Sequence, residues 1–412
     1  MKIALLHPDS PTSEGTGAVH SATLIGESLQ QQGHDVTFFC PGSVDDDYNS
    51  TAVYELEVDK ESSSRNTYKL INDAILKNAE TIASYDIFHS YLMRTIPSVG
   101  KISKNYGDLT TIITLNAYGA ICPKNDLLWK NKNKCSSNGF GKCINCVLSS
   151  KQQLPPKSNR GRVYQIGRVI HHTIKDLKNF PIINNIESHM DHIDKYQALS
   201  SHVKSEYTNF GFPEEKIGVV PNILDEHFRV PHTSDLSPPF DLLYVGGLKY
   251  HKGADQLPRI LDDLNTASKY DHQLSIVGEG PLKQDIQKEL KQRGQKDNSA
   301  IDGFVKYNDL PKWYSSHDIF VYPGRWEEPF GRVFIEALAA GTPVVSTDVG
   351  SVSEITNSAG LVTKSAGEIS KIIKQISSDQ IQELSTSAML ECERFNRDNV
   401  VDDIEQLYQS TK

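Results

Sequence analysis

The 412-residue sequence contains no apolar run near the roughly 18 residues that a membrane-spanning helix needs. Its apolar opening, Ile3 to Leu6, stops at His7-Pro8 and is too short for the core of a secretory leader, so the expected compartment is the cytoplasm. Cysteine is scarce, with six residues, which in a reducing compartment excludes a disulfide framework. An excess of positive charge is missing too. The formal net charge of -9 argues against nucleic acid as a partner.

What remains is the balance of a folded globular chain, 38% hydrophobic and 23% charged, long enough for two large domains. Two local exceptions break this average. Between Lys151 and Lys178 stand seven Lys or Arg and one acid, Asp176, so this segment is +6 and the remainder -15. Four of the six cysteines cluster at 122, 135, 143 and 146.

Short apolar strands alternate with amphipathic helices along the chain, which predicts α/β units with parallel sheets. Strands are expected at Lys2 to Leu6, Val36 to Phe39, Ile87 to His89, Thr111 to Leu115 and Ile217 to Val220. A helix is expected between the turn Gly15-Thr16-Gly17 and Gly33, on the spacing of Val19, Leu24, Ile25 and Leu29. Phe228 to Phe240, with three prolines, reads as a linker. A second series follows at Leu242 to Val245, Leu274 to Val277, Ile319 to Tyr322 and Val344 to Ser346. Glycine-rich turns follow several of these strands. In open parallel sheets such turns and the helix starts beyond them present backbone N-H groups to ligands.

Chemistry concentrates in Trp326-Glu327-Glu328-Pro329-Phe330-Gly331-Arg332-Val333-Phe334-Ile335-Glu336-Ala337. Glu328 is expected just before a helix and Glu336 about a turn and a half inside it. Such carboxylates accept hydrogen bonds from sugar hydroxyls, and free N-H groups at a helix start suit a phosphate. By itself, a Glu pair eight apart also occurs on ordinary solvated helices.

This stretch stands with Gly246-Gly247-Leu248-Lys249-Tyr250-His251-Lys252-Gly253, Gly278-Glu279-Gly280-Pro281 and Asp318 to Pro323. To these are added Gly33 to Thr37, Pro221-Asn222 and Phe395 to Tyr408. As a set they resemble retaining glycosyltransferases of family 4, over nearly the whole chain. The resemblance implies a GT-B fold: two doubly wound Rossmann-like domains facing across a cleft. The first would span 1-222, with a Cys-rich and basic insertion at about 120-190. The second would span 223-394 and bind a nucleotide sugar, and a helix at 395-412 would return to the first.

By that resemblance Glu328 contacts the donor sugar, Glu336 holds the ribose and Lys252 neutralises the diphosphate. The main chain at Phe330, Gly331 and Arg332 would bind sugar and phosphate oxygens. Phe304-Val305 would border the base, Gly278 and Gly280 would line the donor, and Gly17 would approach the diphosphate from the first domain. Alanine at Glu328 or Lys252 is expected to abolish transfer and leave the fold intact, since neither belongs to an apolar stripe. Two positions depart from the pattern. Gly247 stands where the family has Arg, leaving Lys249, Arg325 or Arg332 to supply a second cation. Asn116 replaces a histidine near the reaction centre, in the acceptor-side stretch that ends at Tyr118. No Asp-x-Asp triplet occupies a suitable loop, Asp45-Asp46-Asp47 being a polar run, so no catalytic metal is expected. Alternative functions are a GT-B nucleotide-sugar epimerase and a noncatalytic sugar-nucleotide-binding protein.

Cys143 and Cys146 have the spacing of a metal knuckle, and Cys122 and Cys135 could complete a tetrahedral structural zinc site. The competing reading is four reduced thiols on an ordered loop. The basic segment continues into a helical pattern, with Val163, Ile166, Val169, Ile170, Ile174 and Leu177 on one stripe. It reads either as a helix packed on the first sheet or as an interfacial helix docking on anionic lipid. The expected partners are therefore a nucleotide-sugar donor, a glycan or lipid-linked acceptor and an anionic membrane at the inner face.

Overall fold

A computed structural model describes residues 1–13, 17–42, 48, 50–58, 66–152, 162–266 and 268–410. Gly15-Thr16, the Asp45-Asp46-Asp47 run, and Lys157 and Arg160 lie outside the described residues, as do the side chains of Lys151, Arg162, Val163, Arg168, His172 and Lys175.

The chain divides into two compact units, Met1–Pro221 with Val401–Lys412, and Asn222–Val400. The first contains β1 (Lys2–Leu6), β2 (Asp35–Cys40), β3 (Ala52–Glu55), β4 (Ile87–Ser90), β5 (Thr110–Leu115), the short hairpin β6 (Leu128–Trp129) and β7 (Asn133–Lys134), β8 (Lys195–Ala198) and β9 (Ile217–Val219). Its main sheet runs β3-β2-β1-β4-β5-β8-β9 with parallel neighbours. Every residue of β4 and β5 is buried, as expected of central parallel strands covered on both faces.

The second unit contains β10 (Asp241–Val245), β11 (Gln273–Val277), β12 (Ser299–Gly303), β13 (Ile319–Tyr322), β14 (Val344–Thr347) and β15 (Gly360–Thr363). These form one parallel sheet in the order β12-β11-β10-β13-β14-β15. Successive strands step outward on one side of β10 and then on the other. The order reverses between β10 and β13, the switch point where open α/β sheets bind ligands.

The proline-bearing stretch read as a linker is instead fastened to the second unit. His232 Nδ1 lies 3.1 Å from the Ala340 carbonyl, Thr233 N-H donates to Ser315 O, and Leu236 N-H donates to the Asp318 carboxylate. Asp318 also takes Ser234 Oγ-H and Asp241 N-H, so one buried acid anchors both this stretch and the start of β10. Polar side chains satisfied by a neighbouring strand, invisible to hydropathy, made it look unattached.

The basic helix forms, over Arg162–Leu177, but its partner is the helix Phe140–Gln152. Among its described side chains Thr173 is buried, whereas Ile166, Ile170 and Ile174 are exposed. The apolar stripe therefore does not pack on the sheet.

Candidate active site

The loops after β10 and β11 are strapped together through their backbones. Gly246 N-H donates to Val277 O at 3.0 Å and Leu248 N-H to Glu279 O at 3.0 Å. Gly278, at φ +140°, approaches so closely that a Cβ there would stand 2.0 Å from Gly246 O. Only glycine fits. Gly280, Gly247 and Lys249 belong to the same layer of chain at the carboxyl ends of the strands.

The loop after β10 continues to Lys252 and turns at Gly253, φ +74°, where a Cβ would fall 1.7 Å from Pro323 O. The backbone N-H groups of Arg325 and Trp326 both donate to His251 O. These contacts hold the turn against the loop after β13 and set Lys252 beside Glu328.

Glu328 is 3% exposed, and one of its oxygens, Oε2, collects three donors. Lys252 Nζ lies at 2.7 Å, Tyr322 Oη at 2.6 Å and Trp326 Nε1 at 2.8 Å. Lys252 Nζ also stands 4.4 Å above the Trp326 ring, a cation-π contact. Burial and the Glu328 charge push the Tyr322 phenol far above its ordinary range, so it stays a donor. Ser351 fixes the backbone of Glu328 by donating from N and Oγ to its carbonyl.

Three residues after Glu328, Gly331 precedes the helix Arg332–Ala339, whose start no side chain caps. Its orphan N-H groups and dipole favour an anion at the Phe330-Gly331-Arg332 backbone. Inside that helix Glu336 is buried, with Tyr314 Oη at 3.1 Å and Arg332 Nε at 3.5 Å. Burial raises its carboxyl above the ordinary value, while Arg332 and the Tyr314 bond pull it down. Arg332 in turn donates to Tyr307 Oη at 2.6 Å. Arg325 makes a bidentate pair with Asp255, at 2.6 and 2.8 Å.

The structure thus brings together Gly247, Lys249, Lys252, Gly278, Gly280, Arg325, Glu328, Phe330, Gly331, Arg332 and Glu336 at one end of the second sheet. Phe304 and Val305 follow β12 at the same end, and Phe304 is exposed. Gly17 opens the helix Gly17–Gln31, and Asn116 follows β5, donating to Tyr91 O at 3.1 Å; both belong to the first unit. Tyr118 is corrected: it is fully buried in the first unit's core and cannot meet an acceptor. Its polar-tipped ring sits among apolar neighbours, a placement the sequence could not distinguish from exposure.

Sequence reasoning missed Tyr322, Trp326, Tyr307, Tyr314 and Asp255, which hold the charged groups in place. The first two lay inside motifs already quoted, but aromatic residues at a strand end read as core rather than as donors.

Cys122, Cys135, Cys143 and Cys146 are free thiols lining one cavity of about 20 Å³. Lys130 N-H donates to Cys146 Sγ at 3.1 Å, and burial pushes the Cys122 thiol up to about 12. Among the described residues no three His, Cys, Asp or Glu stand grouped as ligands for a metal.

Residues 231–389, inside the second unit, match the family model of the glycosyl transferases group 1. An uncharacterized glycosyltransferase of Methanocaldococcus jannaschii is 30% identical over 189 residues, 40% of this chain and 46% of that protein. The chain thus spans under half the length of that curated relative. Among solved structures, sucrose-phosphate synthase of Thermosynechococcus elongatus superposes with a TM-score of 0.71 at 16% identity, covering 100% of this chain and 99% of that one. HepE of Anabaena, in complex with UDP and glucose, superposes with a TM-score of 0.65 at 16% identity, covering 100% of both. At those identities the likeness concerns the fold, which is the GT-B class of two Rossmann-like units.

Proposed function

We propose that the chain is a retaining glycosyltransferase of family 4, moving a sugar from a nucleoside diphosphate sugar to a glycan or lipid-linked acceptor. The observation that carries the reading is the buried Glu328 carboxylate, fixed by three donors and set four residues before an uncapped helix start. That pairing offers an acceptor for sugar hydroxyls next to N-H donors for phosphate oxygens. The UDP and glucose of the HepE complex lend support to such a donor.

In the proposed reaction the acceptor oxygen bonds to the anomeric carbon while the bond from that carbon to the diphosphate oxygen breaks. The acceptor's proton passes to a phosphate oxygen. Negative charge grows on the diphosphate, so preorganised cations and N-H groups facing it lower the barrier. Oε2 of Glu328 is already committed to Lys252, Tyr322 and Trp326, which favours a role in holding the sugar over a role as nucleophile.

Charge balance singles out the missing cation. Lys252, Arg325 and Arg332 each face a carboxylate, on Glu328, Asp255 and Glu336 respectively. Lys249 is exposed, and its side-chain carbons run 3.7 Å from where a Cβ at Gly247 would sit. It therefore extends its charge over the position that lacks the usual arginine, and we assign it the second diphosphate contact.

The test is incubation with a panel of nucleotide sugars. One donor should be slowly hydrolysed, and an acceptor should yield a product that keeps the donor's anomeric configuration by NMR. Lys249→Ala should cost about 10- to 100-fold in turnover, with Gly247→Arg restoring part of it. A panel in which every donor stays intact, or in which a donor is only epimerised, would overturn the reading.

A further inference from the structure

The helix Arg162–Leu177 is turned the wrong way for a core element. Ile166 is 60% exposed, Ile170 51% and Ile174 49%, while the polar Thr173 is buried. Spacing of four residues places the three isoleucines in one ribbon along the helix. The helix Phe140–Gln152, packed beside it, adds Phe140, 64% exposed, and Leu148. Phe140 touches the Phe180 ring at 5.1 Å, so the ribbon is continued by an aromatic pair. A contiguous exposed apolar surface of this kind on a water-facing protein marks something it binds.

Charge identifies the occupant. The segment from Lys151 to Lys178 is +6 in a chain whose remainder is -15. The same spacing of four puts position 162 one turn before Ile166 and position 178 one turn after Ile174, so the sequence sets a basic residue, Arg162 or Lys178, at each end of the row. An apolar ribbon flanked by basic residues matches a lipid surface, where isoleucine and phenylalanine enter the acyl boundary and basic groups meet anionic headgroups. No helix among the described residues is long and apolar enough to cross a membrane, so the contact is one of lying on the surface. We infer that Phe140, Ile166, Ile170 and Ile174, with the basic residues beside them, form a docking surface for anionic membranes.

The cysteine cavity explains how the surface is held. Cys143, Cys146 and Val147 occupy the buried face of the helix Phe140–Gln152, against Ile121, Cys122 and Leu128. That leaves the Phe140 and Leu148 positions outside.

The experiment is co-sedimentation of the full chain with vesicles of equal parts phosphatidylcholine and phosphatidylglycerol, against vesicles of phosphatidylcholine alone. The protein should pellet with the anionic vesicles at low salt and be released as ionic strength rises, because the attraction is screened over about 8 Å at physiological salt. Each basic residue is worth about fivefold in binding, so replacing Arg162, Arg168 and Lys175 by Gln should weaken it about a hundredfold. Replacing Ile166, Ile170 and Ile174 by Ser should weaken it at least as much. Since those isoleucines are exposed, the second variant should melt with the wild type. Failure of the wild type to bind, or binding unchanged in both variants, would overturn the inference. So would loss of folding in the serine variant, which would make the ribbon a core face. A serine variant that turns a dimer into a monomer by gel filtration would assign the ribbon to a second copy and equally refute it.

Discussion

Replacing Glu328 separates its chemical role from its structural one. Alanine would remove the oxygen that Lys252, Tyr322 and Trp326 share. Lys252 is 24% exposed along its side chain and can turn toward water, so its ammonium is not stranded. Trp326 Nε1 keeps a second acceptor, Tyr322 Oη at 3.2 Å. The Tyr322 hydroxyl is then the donor left wholly buried without its acceptor, with the indole only partly satisfied. At about 1 to 3 kcal/mol for an unsatisfied buried donor, and about half that for the indole, the cost comes to about 2 to 4 kcal/mol. For a unit of this size that lowers the melting temperature by about 5 to 15 °C. The expectation that alanine leaves the fold intact is thereby revised, because burial, not membership of an apolar stripe, sets the cost. Glutamine keeps an acceptor oxygen and the volume, so Glu328→Gln should melt within a few degrees of the wild type. It should still lose about 10²- to 10³-fold in turnover, since a neutral amide no longer counters the cationic Lys252 or the charge developing on the sugar. Calorimetry and donor turnover on both variants decide the matter. If alanine melts with the wild type, the counting of donors is wrong; if glutamine turns over normally, Glu328 is not in the active site.

Burial lowers His89 to about 3 and His7 to about 4, so both stay neutral in the fold while an unfolded chain protonates them near 6.5. Stability of the first unit should fall as pH drops below about 6.5, by about 1.4 kcal/mol per pH unit for each histidine, down to their folded values. His89→Gln should flatten that slope in acid-unfolding curves, and an unchanged slope would remove His89 as its source. Gly278→Ala should cost at least about 2 kcal/mol, by chemical denaturation, because neither backbone strand can retreat from a Cβ at 2.0 Å. If all four cysteines are zinc ligands, metal analysis should find about one zinc per chain, and Cys143→Ser should lower the melting temperature. The metal must draw the sulfurs inward, and a metal-free, equally stable preparation whose four thiols react with a disulfide reagent would leave the cavity to reduced thiols.

The sequence announced the strands that carry the sites, because central parallel strands are apolar on both faces. Lys2–Leu6 and Ile319–Tyr322 have the expected limits, and Asp241–Val245 differs by one residue. Hidden strands were of two kinds. Ala52–Glu55, Ser299–Gly303 and Gly360–Thr363 are short sheet edges with little burial and no clear apolar run. Lys195–Ala198 lies inside the sheet but carries Gln197, which is tolerated because it accepts from Thr114 Oγ1 and donates to Val220 O. Hydropathy cannot register a polar residue whose partners come from neighbouring strands. The same blindness affected the site. Glu328, Glu336 and Lys252 were legible from motif position, but which cations are already neutralised depends on distances across loops 70 or more residues apart in sequence, as for Arg325 and Asp255. Tyr118 and the Ile166 ribbon were misjudged or left open in the same way, since periodicity reports that a stripe exists but not which way it faces.

The segment from Val401 onward completes the first unit. Tyr408 bonds His89 Nδ1 at 2.8 Å, Glu405 reaches His34 at 2.8 Å, and Leu407 fills the space that Gly218 leaves open. During synthesis residues 1–221 therefore emerge first but lack a piece of their own core until the whole of the second unit has been made. Growing chains generally fold their leading domain first. Here the trailing unit is contiguous and can finish earlier, while the leading one waits with Gly218 and His89 uncovered. A nascent chain arrested before residue 401 should thus protect its second unit from protease while its first remains open to cutting, and chaperones that bind exposed apolar surface would be needed longest by the half that was translated first.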